Sequence, residues 1–111
     1  MGCIFCDIIA KKSPADVYYE DEHTIVFADI LPRTRIHLLI TPKQHFTKLT
    51  ELPEETILQL INTAKLIAEN LGITHNFRLQ LNNGVDAGQI IEHLHFHFMS
   101  DERGIEVAYL A

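Results

Sequence analysis

The chain has 111 residues, 47% hydrophobic and 22% charged, which suits one globular domain with a real core and little room for a second. Its formal net charge of −6 argues against a nucleic-acid backbone or an anionic membrane as partner, although a small nucleotide needs only a local pocket. No stretch approaches the roughly 20 apolar residues of a membrane span, no secretory signal is expected ahead of the fold, and a soluble cytoplasmic protein is the expectation.

In chain order, Met1-Gly2-Cys3 hints at acylation, but myristoylation calls for Ser or Thr where Cys6 stands, so no lipid anchor is expected. The spacing allows a short helix near 5–10. Val17-Tyr18-Tyr19-Glu20 and Thr24-Ile25-Val26-Phe27 are β-branched and aromatic runs separated by Asp21-Glu22, which predicts a hairpin. Phe27-Ala28-Asp29-Ile30 follows; by composition its apolar residues are core and Asp29 is a turn residue before Pro32. Ile36 to Thr41 reads as a third strand, stopped by Pro42.

From Pro53 to Leu71 the apolar residues keep helical spacing, with Pro53 in the first turn, Thr50 or Glu51 as cap and Gly72 as the stop. Ile57, Leu60, Ile61, Ala64 and Ala68 form one row, while Leu58, Leu66 and Ile67 lie to other sides. That stripe is broader than one sheet face covers, which predicts a two-fold homodimer. Phe77 to Asn82 alternates as a strand. The loop from Asn82-Asn83-Gly84 to Gly88-Gln89 is too long for a tight hairpin, and its glycines let backbone amides approach a ligand. Residues 93–99 form the last predicted strand, and Ser100 to Gly104 turn into a short apolar tail. The pattern predicts an α+β fold over a single domain, 1–111, with an antiparallel sheet of about five strands and one long helix.

Two motifs carry chemistry. His93-Leu94-His95-Phe96-His97-Phe98-Met99 alternates histidine with large apolar residues, so on a strand three imidazoles share one face, roughly 6.5–7 Å apart. Such a row binds a metal, passes protons or attacks a phosphate. Cys3-Ile4-Phe5-Cys6 is a Cys-x-x-Cys pair, which in a cytosolic chain favours a metal or redox role over a disulfide. No thioredoxin-like β-α-β context surrounds it. A structural zinc needs about four ligands, and spacing alone does not select the other two; two reduced, packed cysteines are the alternative.

The complete His-φ-His-φ-His-φ-φ pattern, with φ apolar, resembles the signature of the histidine triad family of nucleotide hydrolases and transferases. The likeness extends through Cys3-Ile4-Phe5-Cys6, Phe27-Ala28-Asp29-Ile30, Thr41-Pro42-Lys43-Gln44-His45, Asn82-Asn83-Gly84 and Gly88-Gln89. It implies the same α+β fold, a homodimer, and a purine nucleotide as small-molecule partner. It also implies that His95 attacks the α-phosphate to form a nucleotidyl-histidine intermediate, that His97 hydrogen-bonds the phosphate, and that His37 supports the triad. The nucleophile must present an unprotonated nitrogen, and a backbone carbonyl is the expected acceptor at its other ring nitrogen. By the same resemblance Asn82, Gly88 and Gln89 contact the nucleotide, Asp29 takes the ribose hydroxyls, and Phe5, Ile8, Phe27 and Ile30 wall the base. His45 and His93 complete a zinc site with Cys3 and Cys6. One departure is Ile90, where phosphoramidate-cleaving members carry a Ser or Thr donor; losing such a donor costs one or more factors of ten in rate. Two other classes remain: a non-catalytic nucleotide-binding signalling module, and a metal-binding structural protein.

Overall fold

The β-branched runs form β1 (Val17–Glu20), β2 (Thr24–Ala28) and β3 (Ile36–Pro42), and the second half of the chain adds β4 (Arg78–Leu81) and β5 (Phe96–Ser100). In the computed structural model, which describes residues 2–110, these strands make one antiparallel sheet in the order β1-β2-β3-β5-β4. Asp21 closes the expected hairpin: its Oδ1 accepts the His23 and Thr24 N–H groups, both at 2.9 Å, and its Oδ2 accepts the Tyr19 hydroxyl at 2.8 Å. The Asx-type turn explains why Asp follows the first strand.

Two helices, α1 (Ile4–Ile9) and α2 (Glu54–Leu71), take opposite faces of the sheet. β3 is the central strand and is buried along its whole length. Its even residues Ile36, Leu38 and Ile40 pack with Leu60, Ala64, Ile67 and Ala68 of α2. Its odd residues therefore face α1, and Leu39 packs there with Phe5, Ile8, Ile25 and Phe27. Since Leu39 pairs with His97 and His37 with Met99, His37 and His97 stand on the α1 face. The sequence alternation thus sends the imidazoles away from the long helix.

Three local expectations are corrected. Ile67 is fully buried in the sheet-facing row of α2, three residues on from Ala64 and seven from Leu60, whereas Leu58 is 61% exposed. The cap of α2 is Pro53, with no side-chain hydrogen bond; residues 49–51 form a separate 3-10 turn in which the Glu51 carboxylate accepts the Thr47 N–H at 2.9 Å. Gly72 does end the helix, at φ 71°. Finally, β5 begins at Phe96 rather than residue 93. The preceding segment is held instead by loop contacts: Leu94 N–H donates to the Phe46 carbonyl at 2.7 Å, and Thr41 Oγ1 donates to the Leu94 carbonyl at 2.6 Å. Among the described residues no helix is long and apolar enough to cross a membrane.

Candidate active site

The triad survives this irregularity as a cluster on one face. Phe5 from α1 meets His95 and His93 edge-on, at ring-centroid distances of 5.0 and 5.8 Å. His95 and His97 lie 5.0 Å apart, and His37 lies 5.1 Å from His97. His37 reaches His97 across the β3–β5 pair, and His95 reaches it from the segment just before β5.

Hydrogen bonds assign the ring protons. A carbonyl only accepts, so His95 Nδ1–H donates to the His93 carbonyl, at 2.7 Å, and Nε2 carries the lone pair. Every buried side-chain nitrogen and oxygen among the described residues has a partner; His95 Nε2 makes no hydrogen bond and so lies open at the surface of an otherwise buried ring. The Arg33 backbone N–H donates to His37 Nδ1 at 3.1 Å, which leaves the His37 proton on Nε2, facing His97 Nδ1 at 2.9 Å. His97 consequently presents Nε2–H. One imidazole offers a lone pair and its neighbour offers a proton, the two requirements for attacking and holding a phosphoryl group. Arg33 was not anticipated from the sequence, and a backbone donor leaves no signature there.

The four residues expected to hold zinc come together from three places in the chain: the start of α1, the segment after β3 and the segment before β5. Cys3 Sγ lies 3.4 Å from His93 Nδ1, and Cys6 Sγ lies 3.6 Å from that nitrogen and 3.2 Å from His45 Nδ1. Tetrahedral zinc with Zn–S of about 2.3 Å and Zn–N of about 2.0 Å needs S···N separations of about 3.5 Å. The donor chemistry fits as well. His93 Nε2–H donates to the Pro42 carbonyl at 2.9 Å, which frees Nδ1 as a neutral ligand and fixes the ring. Burial pushes the Cys6 thiol above its ordinary range, with the neighbouring Cys3 adding to the effect; a bound cation reverses this by taking the thiolate.

Around the triad, the loop after β4 is a self-braced unit. Gly88 sits at φ 95°, and a Cβ there would come within 3.3 Å of Asn82 Nδ2. That same Nδ2 donates to the Ala87 carbonyl at 2.6 Å. Gln89 is buried, accepting the Gly84 N–H and donating to the Thr47 and Ile91 carbonyls. Its side chain is spent on bracing the loop. Phe5 and Ile8 of α1 pack with Phe27 of β2 into a buried apolar floor, whereas Ile30 is 90% and Ile90 89% exposed. Asp29 opens the turn after β2, with Oδ2 at 3.3 Å from His37 Nε2.

Burial, then the neighbouring His95 and His37, push His97 from the ordinary 6.5 down to about 4. Between those values the unfolded chain binds a proton that the folded one refuses, so this contribution to stability is complete above about pH 6.5 and is lost as pH falls towards 4. In thermal melts, the advantage of the wild type over His97→Gln is expected to shrink as pH drops from 7 to 4.5. Parallel curves would show that His97 is not held neutral.

Comparison with known proteins accords with this geometry. The HIT domain family matches residues 10–104. An uncharacterized HIT-like protein of Methanocaldococcus jannaschii is 40% identical over 105 residues, covering 92% of this chain and 81% of its own. The adenosine 5'-monophosphoramidase hnt1 of Schizosaccharomyces pombe is 32% identical, over 98% of this chain and 84% of its own. The crystal structure of a Zn-bound histidine triad family protein from Mycobacterium smegmatis superposes with a TM-score of 0.82 at 34% identity, over 97% of this chain and 81% of that one. With its sheet, its helices and its three clustered imidazoles, the chain belongs to the histidine triad family.

Proposed function

We propose that the protein is a nucleotide hydrolase or nucleotidyl transferase working through a nucleotidyl-histidine intermediate on His95, within a single histidine triad domain spanning 1–111. The observation that carries this reading is the 2.7 Å hydrogen bond from His95 Nδ1 to the His93 carbonyl, which aims an unprotonated Nε2 at the surface. Nε2 attacks the α-phosphorus, the Nε2–P bond forms, and the bond to the leaving group breaks. Water then attacks the same phosphorus and frees His95. His97 Nε2–H donates to a phosphoryl oxygen, and the neutrality of His97 leaves its Nδ1 free to accept from His37 Nε2–H.

The purine nucleoside would lie over the Phe5, Ile8 and Phe27 floor, with Ile30 closing over the base and Asp29 taking the ribose hydroxyls. Asn82 and the backbone at Gly88 and Gln89 line the phosphate side. Cys3, Cys6, His45 and His93 would hold zinc, which when bound supplies a structural lock rather than a reacting centre. Two free cysteines fit a reducing, cytoplasmic setting. The exposed Leu58 and the free edge of β4 suit a second copy of the chain and support a two-fold homodimer. The relatedness to an adenosine 5'-monophosphoramidase supports a nitrogen-linked leaving group, and Ile90, which donates no hydrogen bond, favours one that departs without help, such as a nucleoside phosphate.

Incubation with adenosine and guanosine phosphoramidates and dinucleoside polyphosphates, with products resolved by chromatography, tests this directly. Release of nucleoside monophosphate is expected. Ile90→Ser is expected to raise phosphoramidate turnover by about tenfold or more, restoring a donor near the leaving group. Binding without turnover of any substrate would make the protein a nucleotide-binding signalling module instead.

A further inference from the structure

Asp29 faces two ways. Its Oδ1 accepts the Leu31 N–H at 2.9 Å, which shapes the turn after β2, while its Oδ2 lies 3.3 Å from His37 Nε2. That nitrogen also lies 2.9 Å from His97 Nδ1. The carboxylate is one-fifth exposed and the His37 side chain fully buried. Ligating atoms of Asp29, His37 and His97 all fall within 4.8 Å of one another, the spacing of a three-ligand metal site. The ring proton argues against a metal. An imidazole that binds through Nε2 keeps its proton on Nδ1 and donates from it, yet His37 Nδ1 faces the Arg33 N–H. Burial keeps His37 below its ordinary pKa even beside this carboxylate, so the ring has one proton and that proton is on Nε2.

We propose that Asp29 is a positioning residue for His97, acting through His37, in addition to the ribose contact assigned to it above. The inference rests on that functional reading for its kinetics but not for its geometry. Arg33 and Asp29 select the same His37 tautomer from opposite ends of the ring: a donor stands at Nδ1 and an acceptor-only carboxylate at Nε2. The other tautomer would set N–H against N–H at one end and a lone pair against a carboxylate at the other. With His37 so fixed, its Nε2–H makes His97 Nδ1 an acceptor and turns the His97 Nε2–H outward. Sugar recognition and phosphate positioning thereby converge on one carboxylate, and the loss of Asp29 lowers kcat as well as raising KM.

Asp29→Asn is the informative variant. Its amide oxygen still takes the Leu31 N–H, which directs the amide NH2 at His37 Nε2–H, donor against donor. Nitrogen-15 spectra of the histidine rings are expected to show His97 as a single Nε2–H tautomer in the wild type and a mixture in Asp29→Asn. On a 2',3'-dideoxynucleotide substrate, whose sugar offers Asp29 nothing, Asp29→Asn is still expected to lose about tenfold in kcat. An unchanged His97 tautomer together with wild-type kcat on the dideoxy substrate would overturn the proposal and leave Asp29 a ribose contact alone. Should Asp29→Asn fail to fold, Asp29→Ser keeps an acceptor for Leu31 and removes the carboxylate from His37, with the same two outcomes. The spectra need no substrate, so a protein that turns over no nucleotide would sink the enzyme reading while the tautomer still decides this one.

Discussion

Replacing His95 by alanine is expected to lower kcat by several factors of ten while nucleotide affinity stays within a few-fold of the wild type. The reason is a division of labour. On the proposed reading, affinity comes from the apolar floor, from Asp29 and from the loop after β4, whereas the attack needs the unprotonated Nε2 of His95, fixed by a main-chain acceptor on Nδ1 at 2.7 Å. His95→Asn can still donate to the His93 carbonyl, so it tests the nucleophile without removing that bond, and it too is expected to be nearly inactive. His97→Ala should cost less, because phosphate positioning is shared with the loop backbone. Product formation followed by chromatography and binding followed by calorimetry separate the two quantities. A loss in kcat below about tenfold for His95→Ala would remove His95 from the nucleophile's role.

The second large effect is expected on stability. Purified protein should carry close to one zinc per chain by elemental analysis, and stripping it with a chelator should lower the melting temperature. Metal bound only by the folded chain adds its free energy to folding. A contribution of about 2 kcal/mol already moves the melting point of a domain this size by roughly 8 °C. The cysteine pair and His45 are partly open, so a chelator has access. Cys6→Ser should reproduce the chelated melting point and abolish its response to chelator. Metal-free protein with an unchanged melting point would reduce Cys3 and Cys6 to packed thiols and His93 to the acceptor of His95.

What could be read from the sequence was whatever depends on period and local chemistry. Strands β1 to β3, the hairpin at Asp21, and the helix from Glu54 to Leu71 follow from alternation, turn residues and 3.6-residue spacing. The face shared by the histidines followed from the same alternation. The start of β5 did not, since residues 93–95 are fixed by Thr41, Pro42 and Phe46, distant groups to which a periodic pattern is blind. Gln89 illustrates a second limit: its buried amide makes three hydrogen bonds within its own surroundings, which no spacing rule announces. The gathering of Cys3, Cys6, His45 and His93 came only from resemblance, because their separation along the chain carries no geometric information. Arg33 was invisible because it acts through its backbone.

The acceptor that orients His95 is a main-chain atom of His93, whose ring meanwhile belongs to the cysteine cluster. Genetic variation therefore reaches the two duties of that residue unequally. A codon change at position 93 can erase or replace the imidazole of that cluster, but every amino acid brings the same carbonyl. A scan of single substitutions would score position 93 for the cluster and stay blind to its hold on the nucleophile. Lineages that exchange the side chain give up its own hold on Pro42, yet keep the carbonyl in place as long as Thr41 and Phe46 still anchor the peptide at Leu94. Ring orientation written into the backbone in this way is sheltered from drift that rewrites the side chains around it.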